Sequence, residues 1–181
     1  MRMDDKRATL ATRTFQLAVV VFLSALLVRM FVADSFVVRG NSMAPAVLDG
    51  DYVFINKLAY LFDGPERQDV VAVDAPEGPA QKFIKRVIGL PEERVEISGG
   101  IVRIKKGRTD HGLILQEPYI TTPTPIDTII NLDQSDYFLL GDNRLASTDS
   151  RTLGAFARRA IDGKLFLRIS PKLIRDWFAN K

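Results

Sequence analysis

The chain has 181 residues, of which 46% are hydrophobic and 26% are charged, so it suits one folded domain and is too apolar to be disordered. Its 25 basic and 22 acidic residues give a formal charge of +3, too small to indicate a nucleic-acid-binding surface. It has no cysteine and one histidine, His111, which excludes disulfides, thiolate nucleophiles and Cys/His zinc sites. A Ser-His-Asp triad would have to use His111, which lies in a polar stretch expected to be a solvated loop.

An apolar segment covers residues 15–33, FQLAVVVFLSALLVRMFVA, and its length suits a helix that crosses a hydrocarbon core of ~30 Å. Its one charged residue, Arg29, lies near the end, where a long side chain reaches the head groups at low cost. Basic residues precede the segment at Arg2, Lys6, Arg7 and Arg13. By the positive-inside rule we expect 1–14 to be a cytoplasmic segment, 15–33 a transmembrane anchor and 34–181 an extracytoplasmic domain.

Two other interpretations of this apolar segment stay open. A basic start followed by an apolar run is also typical of a cleavable signal peptide. A cut after Ala33 would, however, place bulky Phe31 at the third position before the bond, where a small residue is expected. The segment would also suit a helix buried in the core of the domain.

After residue 33 the pattern changes to short extended runs separated by Gly, Pro and Asp. We predict strands at 35–38, 51–55, 69–73, 82–89, 94–98, 101–105, 137–140 and 164–169. Many short strands joined by tight turns predict a mainly β, antiparallel, barrel-like domain. We expect 121–133 to be a loop, because it contains two prolines and little periodicity. The tail, 171–181, has one apolar face and predicts a short packing helix.

The first candidate motif, Gly40-Asn41-Ser42-Met43-Ala44-Pro45, directly follows the first predicted strand. A turn bounded by Gly, Asn and Pro presents Ser42 on irregular backbone whose amides are free to donate hydrogen bonds. Most serines in turns have only a structural role. This motif alone therefore does not indicate catalysis.

The second candidate is Lys85, in the strand predicted at 82–89. Phe83 and Val87 share its face of the strand, because side chains alternate between the two faces. The opposite face carries Lys82, Ile84 and Arg86. Apolar neighbours exclude water from an ammonium group and lower its pKa, which favours the neutral amine that a general base requires. An edge-strand lysine that guards against aggregation would give the same local pattern.

The third candidate is the polar loop 141–151, which follows the apolar strand predicted at 137–140. It reads Gly-Asp-Asn-Arg-Leu-Ala-Ser-Thr-Asp-Ser-Arg. Its hydroxyl, carboxylate and guanidinium groups can bond to one another and to the backbone, so the loop is suited to hold a site in place. A loop with a structural role alone fits the same composition.

In this order and spacing, the three stretches resemble the type I signal peptidases, serine proteases that remove signal peptides from exported precursors. The resemblance is carried by Ser-Met-x-Pro at 42–45, Lys-Arg-x-x-Gly-Leu-Pro at 85–91, and Gly-Asp-Asn-Arg with Ser-x-Asp-Ser-Arg at 141–151. It extends from the anchor to about residue 170 and includes Glu117-Pro118-Tyr119-Ile120.

The resemblance implies a serine-lysine dyad. Ser42 would be the nucleophile, and Lys85 would be the general base that takes its proton and later returns it to the leaving amine. Ser147 would orient the lysine amine. The side chains that pack around this amine and exclude water would be Phe83, Leu139 and Thr148.

The resemblance also implies structural charge pairs that fix the last motif against the lysine strand: Asp142 with Arg86, and Asp149 with Arg151. Shallow apolar pockets would accept the small side chains one and three residues before the cut. Their lining would be Val38, Met43, Val47 and Ile84. The substrate would bind extended, as an added strand.

The amide of Ser42 would hold the oxyanion of the reaction. Some family members add a hydroxyl two residues before the nucleophile, where this chain has Gly40. Either the backbone suffices here, or water or another donor substitutes.

The implied localisation is the plasma membrane, with one span, a cytoplasmic N-terminus and the catalytic domain on the outer or periplasmic side. The implied partners are signal peptides of exported precursors, together with membrane lipid near Phe36. We expect no nucleic acid, no metal and no cofactor.

Three rival functions stay open at this point. A specialised serine-lysine protease that processes a pilin or conjugation protein would carry the same motifs. A self-cleaving, repressor-like protease would be expected to carry a DNA-binding domain, and the sequence suggests none. An inactive membrane scaffold that binds signal peptides would not require Ser42, Lys85 and Ser147 together.

Overall fold

The computed structural model describes residues 3–31, 33–75, 78–107 and 111–172. In these ranges a long helix, α1 (Met3–Phe31), is followed by eleven strands and a single-turn helix, α2 (Ser150–Leu153). The strands are β1 Ala33–Val37, β2 Tyr52–Asn56, β3 Val70–Ala75, β4 Gly78–Gly89, β5 Glu93–Ser98, β6 Ile101–Lys106, β7 Leu113–Ile114, β8 Thr128–Asn131, β9 Asp136–Leu140, β10 Phe156–Ala157 and β11 Ile161–Ile169.

The strands form two antiparallel sheets. The larger sheet has the order β1-β2-β11-β3-β4-β9-β10, and the smaller one has the order β7-β6-β5-β8. Every strand pair recorded in the two sheets is antiparallel. The prediction of a mainly β, antiparallel domain is therefore confirmed.

All eight predicted strands are present, with ends that differ by at most four residues. The loop prediction for 121–133 is wrong in part, because β8 lies inside it and pairs with β5. Ile130 lies opposite Val95 in this pairing, so a contact between distant parts of the chain gives the strand its partner. The sequence pattern near Pro123 and Pro125 does not show that contact.

The N-terminal helix also has limits that differ from those of the predicted apolar segment. α1 begins at Met3, twelve residues before the apolar segment at 15, and ends at Phe31. Ala33 belongs to β1, where it lies opposite Asn56. Among the described residues, no helix combines the length and the apolarity of a membrane span. The helix predicted at 171–181 lies, beyond its first two residues, outside the described part of the chain.

The buried apolar side chains form three clusters. One lies between the smaller sheet and the end of β4 and β9, and includes Ile88, Val95 and Phe138. A second packs Val71, Val87 and Leu139 against Phe83. The third contains Val38, Met43, Val47, Val53, Ile55, Ala72 and Ile84. The second and third clusters involve alternate side chains of β3 and β4, so the two faces of β4 contribute to different clusters.

Candidate active site

Ser42 lies in a turn that directly follows β1. Gly40 adopts a φ of +92°, a conformation that glycine tolerates and that side chains rarely allow. The Gly40 amide donates to Oδ1 of Asp49 at 2.7 Å, and the Asp49 amide donates to Oδ1 of Asn41 at 3.3 Å. These bonds fix the start of the turn to Asp49. No acceptor for the backbone amide of Ser42 is found among the described residues, so this amide is available to donate a hydrogen bond to a substrate.

Lys85 lies in the middle of β4 and is only 2% exposed. It lies opposite Val71 of β3, and Phe83 lies opposite Val73. The Nζ of Lys85 is 5.0 Å from the centroid of the Phe83 ring. The side chain is therefore enclosed mainly by apolar groups, as the alternation of β4 predicted. Of the other two expected neighbours, Leu139 is buried in the adjoining cluster and Thr148 is exposed.

The two candidate catalytic side chains meet. The Nζ of Lys85 lies 3.0 Å from the Oγ of Ser42, within hydrogen-bond distance. Burial lowers the pKa of Lys85 from 10.5 to about 8, while Asp149 raises it and Arg151 lowers it by smaller amounts. At pH 7 about a tenth of the lysine is consequently neutral and able to accept the serine proton, and this share grows as the pH rises.

Ser147 lies beside the nucleophile without a bond to the lysine. Its Oγ is buried and makes no hydrogen bond of good geometry within the described residues, although it lies close enough to the Asp149 carboxylate to help lower the pKa of that group. A Cβ built on Gly141 would lie 2.3 Å from this Oγ and 2.4 Å from the carbonyl oxygen of Ser42. Ser147 and the Ser42 backbone thus flank the same glycine, and only the absence of a side chain there lets them come so close.

One of the two expected charge pairs joins the loop 141–151 to the lysine strand. Arg86 of β4 donates from Nε and Nη2 to the two carboxylate oxygens of Asp142, at 2.8 Å and 2.6 Å. A bidentate pair of this kind fixes both position and orientation. It holds Asp142, next to Gly141, against Arg86, next to Lys85.

The other pair, Asp149 with Arg151, organises the loop internally. Both Asp149 oxygens accept from Arg151 at 2.8 Å, and Oδ2 also accepts from the Gly141 amide at 3.0 Å. Burial acts to raise the pKa of Asp149, but the bonds from Arg151 and Gly141 outweigh it, so the pKa lies below its usual value. The carboxylate therefore stays charged.

A cleft of about 650 Å³ lies beside Ser42. Its lining comes from β1, from the Ser42 turn and from β4, and includes Val38, Met43 and Ile84. Val47 is not part of this lining; it lies in the same buried cluster, where it is 3% exposed. Three of the four predicted pocket residues therefore face the cleft, and the fourth packs behind them.

Sequence reasoning missed several groups that hold the site. The Asn143 amide donates to the Ser42 carbonyl at 3.0 Å. Buried Arg144 donates to the carboxylate of Glu117 and to the Gly141 carbonyl. Two signals were available, the segment 117–120 and the Gly-Asp-Asn-Arg motif at 141–144, but the family resemblance gave no role to Glu117, Asn143 or Arg144.

His111 is exposed, as expected for a loop histidine. No group of three or more potential metal-binding side chains is found in the described part of the chain.

Comparison with known proteins adds to this geometry. The family model described as signal peptidase, peptidase S26, matches residues 11–170. A probable signal peptidase I-1 of Synechocystis sp. is 34% identical over 163 residues, covering 86% of this chain and 80% of that protein. Signal peptidase I of Leptolyngbya laminosa is 36% identical over 167 residues, covering 88% and 78%. A crystal structure of a signal peptidase I from Enterococcus faecalis V583 is 29% identical with a TM-score of 0.49, covering 57% of this chain and 98% of that one.

Proposed function

The chain belongs to the signal peptidase family, peptidase S26, whose members are serine endopeptidases, and from this premise we propose that it removes signal peptides by means of a Ser42–Lys85 dyad. The bond cut would follow a small-x-small motif in an exported precursor. The observation that carries the proposal is the 3.0 Å contact between Nζ of Lys85 and Oγ of Ser42. The burial of that amine supports its role as a base.

In the first half of the reaction, neutral Lys85 accepts the hydroxyl proton of Ser42 as Oγ attacks the carbonyl carbon before the cut. The carbonyl oxygen becomes an oxyanion, and the Ser42 amide is placed to donate to it. The C–N bond then breaks, and the Lys85 ammonium gives its proton to the leaving amine. The signal peptide remains as an ester on Ser42.

In the second half, water attacks the ester while Lys85 again takes the proton. The Ser42 oxygen leaves and recovers a proton from Lys85, which releases the signal peptide as a free carboxylic acid. One base thus serves both halves. Its pKa of about 8 suits this role, because a base whose pKa lies near the working pH both accepts and returns a proton readily.

Ser147 would orient the lysine amine within this cycle. Its buried hydroxyl makes no hydrogen bond of good geometry within the described residues, although it lies near the Asp149 carboxylate, and it is next to the Ser42 backbone. A rotation about χ1 would turn it towards the lysine amine at small cost, since a buried hydroxyl gains by completing a hydrogen bond.

The cleft supports binding of the residues before the cut. Val38, Met43 and Ile84 provide apolar lining beside Ser42. β1 is an edge of the larger sheet, so its backbone can bond to an extended substrate. We infer that this lining, with Val47 behind it, restricts the substrate to small side chains.

The experiment uses detergent-solubilised full-length protein and a precursor whose signal ends in Ala-x-Ala. We expect one cleavage after the second alanine, seen by intact mass, and none with Ser42→Ala or Lys85→Ala. Ser98→Ala and Lys105→Ala, in β5 and β6, are matched controls that should cleave like the wild type. Full cleavage by Lys85→Ala would reject the dyad, and cleavage restricted to a pilin-like substrate would favour the specialised protease.

We further propose that the segment 15–33 anchors the chain in the plasma membrane, with residues 1–14 on the cytoplasmic side and 34–181 outside. The support is the apolar run in the sequence and the basic residues before it. Residues near Phe36, in β1, would then lie close to the lipid surface.

The absence of cysteine allows a direct test of this topology. In intact cells, a membrane-impermeant maleimide should label the variant S98C and should not label L10C. Alkaline carbonate should leave the full chain in the membrane and release a chain that starts at Ala33. Labelling of L10C alone would reverse the topology, and complete retention of the shortened chain would place the main anchor elsewhere.

A further inference from the structure

A buried ion pair joins the segment between β7 and β8 to the loop after β9. The Arg144 guanidinium donates to both carboxylate oxygens of Glu117, at 3.1 Å from Nη1 to Oε2 and more closely from Nη2 to Oε1. The side chains are 0% and 6% exposed, respectively. Burying such a pair adds little net stability, because desolvation of both charges offsets their attraction. What the pair holds in place is therefore more informative than its contribution to stability.

Hydrogen bonds of Arg144 and its neighbour connect this pair to the Ser42 turn. The Nε of Arg144 donates to the Gly141 carbonyl at 3.1 Å. The amide of Asn143, within the same turn, donates to the Ser42 carbonyl at 3.0 Å. Arg144 thus fixes the turn against which the Ser42 backbone rests.

On the other side, Glu117 leads to the strand of the lysine. Its Oε1 accepts a hydrogen bond from the Tyr119 hydroxyl at 2.9 Å. The Tyr119 ring centroid lies 4.0 Å from Cζ of Arg86, the residue that follows Lys85 in β4. Arg86 is also bonded to Asp142, the neighbour of Gly141. The contacts through Arg144 and those through Tyr119 therefore end at adjacent residues.

We propose that Glu117 is a positioning residue that holds the Ser42 turn in register with the Lys85 strand, through Arg144 on one side and through Tyr119 and Arg86 on the other. This role rests on the proposed function. Glu117 is not part of the lining of the cleft beside Ser42. Its effect therefore reaches the reaction through the geometry of the dyad, and it should alter kcat and leave KM unchanged.

The test replaces both charges at once, as Glu117→Met with Arg144→Met. Removing one partner alone would leave an uncompensated buried charge and risk unfolding, whereas apolar residues of similar volume usually preserve the fold. We expect kcat for an Ala-x-Ala precursor to fall by roughly 10- to 100-fold, because displacements of ~1 Å have effects of that size. KM and the midpoint of the pH profile should stay at their wild-type values.

A matched control removes a pair of the same chemistry elsewhere, in which the carboxylate is buried and the arginine is partly exposed. Arg67 donates from Nη2 to both oxygens of Glu93, at 2.7 Å and 2.8 Å, and the Glu93 side chain is 1% exposed. Arg67→Met with Glu93→Met should change the thermal midpoint by a similar amount and leave kcat intact. A fall in kcat shared by both double variants would reduce the role of Glu117 to general stability and overturn the proposal.

Tyr119→Phe supplies a milder variant that keeps the ring over Arg86. Losing one hydrogen bond to a buried carboxylate should lower kcat by roughly 3- to 10-fold in the wild-type background. It should have no further effect in the Glu117→Met, Arg144→Met background, because its partner is already gone. Independent, additive effects would overturn the proposal, and if the double variant does not fold, a wild-type kcat in Tyr119→Phe would do so alone.

The same assay separates this inference from the proposed function. Cleavage by the wild type that is lost in Ser42→Ala establishes the function. A folded double variant with wild-type kcat would then overturn only the positioning role of Glu117. Absence of cleavage by the wild type would reject the proposed function itself, and the inference with it.

Discussion

The Nζ of Lys85 lies 3.0 Å from the Oγ of Ser42, although 43 positions separate them in the sequence. Ser42 belongs to a turn after an edge strand, and Lys85 belongs to an interior strand of the same sheet. Lys85 is 2% exposed, so little water competes for its amine. The proposed nucleophile and the proposed base are thus in contact, which is the minimum that covalent catalysis requires.

We predict that cleavage rises with pH through a midpoint near 8. The pKa of Lys85 is lowered to about 8, and only its neutral form accepts the serine proton. The rate should fall about tenfold per pH unit well below the midpoint and level off above it. The measurement is kcat/KM between pH 6 and 10. A profile without a rise across that range would contradict a lysine base.

We expect Lys85→Met to be inactive and more stable than the wild type at neutral pH. Lysine's pKa is about 8 when folded and 10.5 when unfolded, so protonation favours the unfolded chain. The resulting cost is fully present below pH 8 and is relieved as the pH rises towards 10.5. Methionine removes that cost and fills similar space, so the free energy of unfolding should increase by about 1–3 kcal/mol at pH 7.

Urea unfolding at pH 7 and pH 10 would check this stability. The advantage of Lys85→Met should shrink at the higher pH, since pH 10 lies close to the unfolded-state pKa of 10.5 and less free energy is then needed to deprotonate the amine on folding. An equal advantage at both pH values would show that packing, and not charge, is responsible.

Local sequence patterns predicted the apolar neighbours of Lys85. Strand alternation placed it on one face with Phe83 and Val87, which do share a cluster there, but the same pattern also suited an exposed edge strand. The turn at 40–45 could likewise be predicted, because its Gly, Asn and Pro are local signals. These features depend on residues close together in the chain.

The groups that support the site could not be predicted in the same way. Glu117 and Arg144 are 27 positions apart, and nothing near either residue shows that they meet. β8 was missed for the same reason, since its partner β5 lies some thirty residues earlier. Helix α1 begins at Met3, so helical backbone includes the polar residues before the apolar segment. Hydropathy alone does not mark that extension.

We predict that Gly141→Ala strongly lowers kcat in a protein that still folds. The added Cβ would lie 2.4 Å from the Ser42 carbonyl oxygen and 2.3 Å from Oγ of Ser147. The Ser42 backbone must shift, and displacements of ~1 Å at a reacting group typically cost about 100-fold in rate. Steady-state kinetics on an Ala-x-Ala precursor would measure the loss.

Gly89→Ala is the matched control for this substitution. Its Cβ would lie 2.5 Å from Cγ2 of Val95, in the cluster between the sheets. Overpacking there should lower stability by about 1–3 kcal/mol and leave kcat unchanged. Equal kcat values for the two variants would contradict a specific role for the space at Gly141.

The last prediction concerns Ile84, which is 5% exposed and lines the cleft beside Ser42. Ile84→Ala should deepen the pocket, so that precursors with Val or Leu in place of Ala near the cut become better substrates. A few methylene groups in an apolar pocket change discrimination by roughly 10- to 200-fold, so we expect the kcat/KM preference for alanine to fall by about tenfold or more. The cavity should also cost about 2–4 kcal/mol of stability.

Ile97→Ala separates specificity from this loss of stability. Ile97 is 1% exposed and lies in the cluster against the smaller sheet, away from the cleft. Its truncation removes the same atoms from a buried site, so the free energy of unfolding should fall by a similar amount. The ratio of kcat/KM for alanine and valine substrates should nevertheless stay at the wild-type value, because no cleft residue changes. Identical ratios in Ile84→Ala and Ile97→Ala would show that Ile84 does not shape the pocket.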